Sequence, residues 1–198
     1  MKPFVIAIAG PSCAGKGEIS AYISARLAAP ILDLDGYYRE QSELTFEERC
    51  RMNYDQPEAL DTDLLFAQVR ALAEGHEIYK PVYSFERHTR DTHTEHFQPA
   101  EVVIVEGLFT LYRPELRVLY STRIFIDAPD DVCLLRRIDR DTHSRGRTES
   151  EVRLRFHDHV QPAAHSYIRP NIPHADLLLD GTCPIAANGD RVLKFLGR

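Results

Sequence analysis

The segment Phe4–Gly17 constrains this chain more than any other. Six apolar residues, FVIAIA, run without a break into the loop Gly10, Pro11, Ser12, Cys13, Ala14, Gly15, Lys16, Gly17, and a helical pattern with Ile19, Ile23 and Leu27 at i, i+4 and i+8 follows. An apolar strand without polar alternation must be covered on both faces, as in parallel sheets sandwiched between helices. The spacing G-x-x-x-x-G-K lets the backbone curl until successive N–H groups and the helix N-terminus face one anion, with Lys16 able to reach the outer phosphates of a triphosphate. Strand, loop and helix in that order predict a three-layer α/β/α fold of the P-loop kind, with a phosphate site at the carboxyl end of the first strand.

The remaining rhythm agrees. Short apolar runs at residues 31–35, 102–106, 123–127 and 176–179 read as further buried strands, which makes five in a mainly parallel sheet. Helices are expected over 16–27, 63–74, 130–141, 149–167 and 190–196, with Asp61 or Thr62 capping the second and Gly75 ending it. Residues 78–98 break the pattern: strand-like Tyr79–Phe85 and a Thr/His-rich return predict a β-hairpin outside the main sheet. At 198 residues and 43% hydrophobic, the chain has material for one substantial core, so 1–198 is read as a single domain with that hairpin as an insert.

A net charge of −6 and the lack of a basic tract speak against a nucleic-acid polymer as partner. No stretch approaches the length of a membrane span, and the apolar start is too short for a signal sequence. The four cysteines have neither disulfide-framework nor zinc spacing, and the pairs His93/His96 and His157/His159 lack a completing cysteine. A cytoplasmic protein that handles small anions is the expectation.

Ligands of such sheets gather beyond the carboxyl ends of the strands. Two acids are expected there, Asp35 ending the run 31–35 and Glu106 ending 102–106, each followed by glycine. One carboxylate can orient and deprotonate an attacking hydroxyl while the other helps hold Mg²⁺, so Asp35 and Glu106 are the candidate metal ligands and Asp35 the candidate base. Turn acids or helix caps are the plainer alternative. Asp33, inside the expected strand, is left out of the site. Gly17 stands where a phosphate loop usually carries Ser or Thr for Mg²⁺. The loop resembles the G-K-G-T of nucleoside-monophosphate kinases, which implies that water can take that vertex. Glu18 is either a first-turn acid favoured by the helix dipole or a share in the Mg²⁺ shell.

Over most of its length, from Phe4 to about Leu179, the chain resembles the uridine–cytidine kinase family, with phosphoribulokinase a more distant relative. Leu34–Tyr38 is similar to the family's D-S-F-Y, which implies that Asp35 is the catalytic base and that Tyr38 lies near the nucleoside. Asn53–Asp61 is similar to N-F-D-H-P-D-A-F-D, which implies ribose binding by Asp55. Lys80–Arg90 is similar to the hairpin P-x-Y-D-F-x-x-H-x-R, which implies contacts of Tyr83, Phe85 and His88 with a pyrimidine. Arg136–Arg147 is similar to R-R-x-x-R-D-x-x-x-R-G-R, a helix and lid over the phosphates reaching to about residue 156, which implies roles for Arg137, Arg140, Arg145 and Arg147. The departures are Arg155, where Gln is commoner, and Ser84, where Asp is.

Read without the resemblance, Asp55 is equally an Asx-turn residue, Tyr83 and Phe85 equally a small cluster under the hairpin, and the arginines equally partners of Asp130, Asp131, Asp139 and Asp141 on a solvated helix. The leading expectation is a nucleoside 5′-kinase using Mg²⁺ with ATP or GTP on Gly10–Gly17. The resemblance also implies a homo-oligomer, often a tetramer. The alternatives are a nucleoside-monophosphate kinase or a nucleotide-binding regulatory protein with a degraded site.

Overall fold

Five parallel strands in the order β2-β5-β1-β6-β7 form the centre of the computed structural model, which describes residues 2–198. The chain runs β1 (Phe4–Ala9), α1 (Lys16–Leu27), β2 (Ile31–Asp33), α2 (Phe46–Arg51), α3 (Thr62–Glu74), β3 (Ile78–Ser84) and β4 (Thr89–Phe97). It continues through β5 (Val102–Glu106), α4 (Pro114–Arg117), β6 (Thr122–Asp127), α5 (Asp130–Ser144), α6 (Glu149–Arg155), β7 (Leu177–Asp180) and a C-terminal helix (Ile185–Phe195). Because β1 is the middle strand, flanked by β5 and β6, the glycine loop at its end stands at the centre of the sheet's carboxyl edge.

The two-sided burial expected of an unbroken apolar strand is visible residue by residue. Val5 and Ala7 of β1 and Val103 and Val105 of β5 face a core closed by Leu65, Val69 and Leu72 of α3. Ile6, Ile8 and Ile104 face the opposite core, closed by Ile19 and Ile23 of α1, Cys133 of α5, and Val192 of the C-terminal helix. Outside this sheet, β3 and β4 form a two-stranded antiparallel ribbon with Ile78 opposite Phe97 and Ser84 opposite Thr89. Its base is anchored by burying Ile78 and Phe97 in the α3-side core.

Asp61 caps α3, its side chain accepting from the Leu64 N–H, and left-handed Gly75 ends it. The helix expected over 149–167 is helical but not uniform: α6 leads into wider, π-type turns at Phe156–Val160 and Ala164–Ile168. Between them lies Pro162, which lacks an N–H and crowds the carbonyl of the preceding turn. The Gln161 N–H reaches back to Phe156, opening the spiral around the obstruction.

Two expectations are corrected. Strand β2 ends at Asp33, not Asp35: the Asp33 side chain accepts from the Asp35 N–H at 2.8 Å and starts a 3₁₀ turn over Leu34–Tyr37. Aspartate favours such local capping over strand pairing. The last helix begins at Ile185, directly after Pro184, and not at Asp190. Asn188 and Gly189 lie inside it and are used for packing: Asn188 Nδ2 donates to the Asp180 carbonyl at 2.8 Å, and Gly189 lies against the Tyr22 ring. Helices α2 and α4 were not expected at all.

Ile104 is fully buried in the middle of β5, whereas Val118 is 81% exposed. Ile104→Ala is expected to lower the unfolding free energy by about 2–5 kcal/mol, and Val118→Ala to change it by less than about 0.5 kcal/mol, both read from urea unfolding curves.

Candidate active site

The glycine loop is held from two sides. Gly10 has a φ of 151°, and a Cβ there would run into the Ile126 carbonyl of β6, so only glycine lets the loop lie so close to the sheet. Gly15 is left-handed and starts α1, and Ala14 is buried beneath the loop. Lys16 is buried, its Nζ donating to the Pro11 carbonyl at 2.9 Å. From α5, Arg136 donates to the carbonyls of Cys13 and Gly181 at 3.3 and 3.0 Å, and Arg137 donates to Ser12 Oγ at 2.9 Å. Gly17 and Glu18 are exposed in the first turn of α1, with open space where a Gly17 Cβ would stand.

The loop forms one end of a cleft of about 1150 Å³, ample for two ligands. Ser12, Cys13, Gly15, Lys16, Gly17 and Glu18 line it, as do Asp35, Tyr38, Asp55, Tyr83, Phe85, His88, Glu106, Arg137, Arg140, Arg145 and Arg147. The residues singled out from the sequence thus converge on one cavity; Gly10, Pro11 and Ala14 support the loop from behind. Asp33 also lines the cleft, which corrects its exclusion: as the true end of β2 it stands in register with Glu106 of β5.

Asp33, Asp35 and Glu106 therefore form an acidic floor beside Lys16. Asp33 keeps much of its surface toward the open cleft, but protein walls replace water around all three. That desolvation raises the pKa of each. Asp35 is pushed up to about 7, first by desolvation and then by the charges of Asp33 and Glu106, against the opposing pull of Lys16 and Arg145. Among the described residues no three His, Cys, Asp or Glu side chains make a preformed metal cage. Crowded acids next to a phosphate loop suit Mg²⁺ instead, which takes one or two carboxylates and completes its shell with water and phosphate oxygens.

At the other end of the cleft the walls are aromatic. Tyr38 meets Tyr54 and Tyr83 at ring separations of 5.4 and 5.2 Å, Tyr83 meets Phe85 edge-on at 5.4 Å, and His88 stacks on Tyr54 at 5.7 Å. His88 has a positive φ of 50°, and its pKa is lowered by burial and then by Arg147, Arg155, Arg49 and Arg145. Both causes favour the neutral imidazole, which has one nitrogen donating and one accepting. The Asx turn weighed for Asp55 belongs to Asn53, whose Oδ1 accepts from the Asp55 N–H at 2.9 Å and leaves the Asp55 carboxylate to the cleft.

Sequence reasoning gave no role to Arg90 or Tyr54, and to Asp141 only that of an ion-pair partner on a solvated helix. Arg90 fastens the ribbon to the turn that carries Asp35, donating to the Tyr38 and Tyr37 carbonyls at 2.7 and 3.0 Å and pairing with Asp61 at 3.2 Å. The approach is close at Gly36 too, where a Cβ would stand 2.7 Å from the Pro81 carbonyl. Asp141, wholly buried in α5, gathers the arginines: Arg140 lies 2.8 Å away, Arg137 3.5 Å, Arg147 3.6 Å and Arg145 3.7 Å. The expected pairing with Asp141 is thus present, but around a buried carboxylate and not on a solvated face. Arg145 also lies over the Phe85 ring at 4.7 Å, so the arm following α5 touches the tip of the ribbon.

Residues 5–183 match the model of the phosphoribulokinase / uridine kinase family. The chain is 39% identical over 181 residues to a uridine kinase of Ligilactobacillus salivarius (strain UCC118), covering 90% of this chain and 85% of that protein. It is 40% identical over 182 residues to a uridine kinase of Vibrio cholerae serotype O1, covering 88% and 85%. Among solved structures, the phosphoribulokinase from Rhodobacter spheroides superposes with a TM-score of 0.68 at 17% identity, over 93% of this chain and 74% of that one, a likeness of fold.

Arg90 makes the ribbon's placement testable. Arg90→Ala strands two carbonyls and Asp61, and is expected to lower the unfolding free energy by about 2–4 kcal/mol, with amide exchange rising first in β3 and β4. Arg90→Lys should recover less than about half of the loss, since an ammonium cannot reproduce the guanidinium fork.

Proposed function

Because the chain belongs to the phosphoribulokinase / uridine kinase family and is a phosphotransferase, we propose that it moves the γ-phosphate of ATP or GTP to the 5′-hydroxyl of a pyrimidine nucleoside, uridine or cytidine. The observation that carries this reading is the aromatic wall of Tyr38, Tyr54, Tyr83 and His88 in the same cleft as the phosphate loop, with the acids Asp33, Asp35 and Glu106 also lining it. Flat rings at one end suit a base, Asp55 suits ribose hydroxyls, and the loop suits a triphosphate.

In this mechanism the loop N–H groups and Lys16 hold the β- and γ-phosphates. Asp35 accepts the proton of the 5′-hydroxyl as the new O–P bond forms, and the bond to the β-phosphate oxygen breaks. A carboxyl whose pKa is near neutrality suits that transfer, being ionised enough to accept the proton and basic enough to keep it. Glu106 and Asp33 would hold Mg²⁺, which when bound supplies positive charge against the phosphate oxygens. Arg140, Arg145 and Arg147 neutralise charge on the transferring group, and Arg137 steadies the loop through Ser12.

A panel of nucleosides, nucleoside monophosphates and sugar phosphates, assayed with ATP and with GTP, tests the proposal. Uridine or cytidine should be converted to its 5′-monophosphate, and turnover confined to monophosphates or to sugar phosphates would refute it. Asp35→Asn is expected to lower kcat by roughly 10²–10⁴-fold while leaving the dissociation constant of ATP, measured by calorimetry, nearly unchanged. An undiminished kcat would remove Asp35 from the proton transfer.

A further inference from the structure

Asp141 has no access to solvent, yet its contacts are not those of a finished ion-pair network. Only Arg140 makes a short bond, Nε to Oδ1 at 2.8 Å. Arg137 Nε stands 3.5 Å from Oδ2, and neither of those buried atoms completes a hydrogen bond with any described residue. Arg145 and Arg147 approach at 3.7 and 3.6 Å, near enough for attraction and too far for a hydrogen bond. The same residue also fixes the backbone from which the last two project, since the N–H groups of Arg145 and Arg147 both donate to the Asp141 carbonyl at 3.2 Å.

Four guanidinium groups around one carboxylate leave an excess of positive charge facing the phosphate loop. Without a central anion the four would repel one another, and each would adopt its own rotamer in the open cleft. Were the carboxylate bidentate to each, it would compete with phosphate for them. The observed spacing lies between these extremes: the arginines are drawn together while most of their donors stay free.

We propose that Asp141 is the positioning residue of the arginine arm, a buried counter-anion that sets Arg137, Arg140, Arg145 and Arg147 over the phosphate loop and yields their free donors to the transferring phosphoryl group. The proposal rests on the phosphotransferase reading but not on which acceptor is used. It assigns Asp141 no contact with substrate; its effect passes through the arginines alone.

A substitution that merely damages the site would weaken triphosphate binding and turnover together. A positioning carboxylate predicts a split. Asp141→Asn should lower kcat by about 10- to 100-fold, the scale of an ångström-sized misplacement, while ATP, relieved of a nearby negative charge, binds no more weakly than to the unaltered protein. In a background of Arg145→Ala and Arg147→Ala, the same substitution should cost several-fold less in kcat than in the unaltered protein, because two of the four groups it positions are gone. Thermal melting establishes that each variant is folded, and Asp141→Glu replaces the Asn variant in the cycle if that one is not. A kcat loss in that double-variant background equal to that in the unaltered protein, or an ATP dissociation constant that rises in step with the fall in kcat, would overturn the proposal. If no nucleoside in the panel is turned over, the nucleoside reading fails by itself. Calorimetry with ATP then decides the present inference: affinity in Asp141→Asn must be kept or raised, and a weakened affinity overturns it.

Discussion

The concentration of like charge at the carboxyl edge of the sheet governs the rest of the structure. Asp33 and Glu106 are placed side by side by the register of β2 against β5, and the 3₁₀ turn brings Asp35 to the same floor. Such crowding is unfavourable: beyond the desolvation that is the first cause of the raised Asp35 pKa, the charges of Asp33 and Glu106 raise it further. It persists because the sheet, buried on both faces, over-determines where its strands end. Lys16 and the N-terminus of α1 offset part of the repulsion on one side, and Arg145 opposes it from the arm. The cleft thus has an acidic floor and a basic roof, and a polyanion carrying a divalent cation satisfies both at once.

The parts legible in the sequence are those that depend on local pattern. The apolar run into Gly10–Gly17 announces strand, loop and helix together, and the β-hairpin follows from its alternation. The aromatic and arginine positions were legible through the family resemblance, each lying in a segment similar to one of that family's motifs. What escaped depends on a boundary or on a distant partner. Asp33 was misplaced because the end of β2 is decided by its own side chain bonding two residues ahead, which an apolar count does not register. Asp141 among arginines reads as an exposed i, i+4 partner, and only the packing of the arm after α5 buries it. Arg90 serves main-chain carbonyls more than fifty residues earlier in the chain, for which no spacing rule exists.

Helix breakers illustrate the same division. Gly75 ends α3, and Pro184 precedes the last helix as a conventional N-terminal residue. Gly189 and Pro162, in contrast, sit within helical segments, one because the Tyr22 ring leaves no room for a Cβ and the other because the spiral widens around it. Composition alone does not separate the two uses; the neighbour that fills the space does.

The contact of Arg145 with Phe85 has a thermodynamic corollary. One member belongs to the arm over the phosphate loop and the other to the tip of the ribbon, so the two ends of the cleft share a boundary. A ligand that ordered the ribbon would thereby restrict the arm, and one that drew the arm inward would limit the ribbon. Linkage requires the resulting coupling free energy to be reciprocal: whatever factor the acceptor applies to donor affinity, the donor applies to acceptor affinity. Through this cation–π contact, occupancy of one half of the cleft would bear on the other.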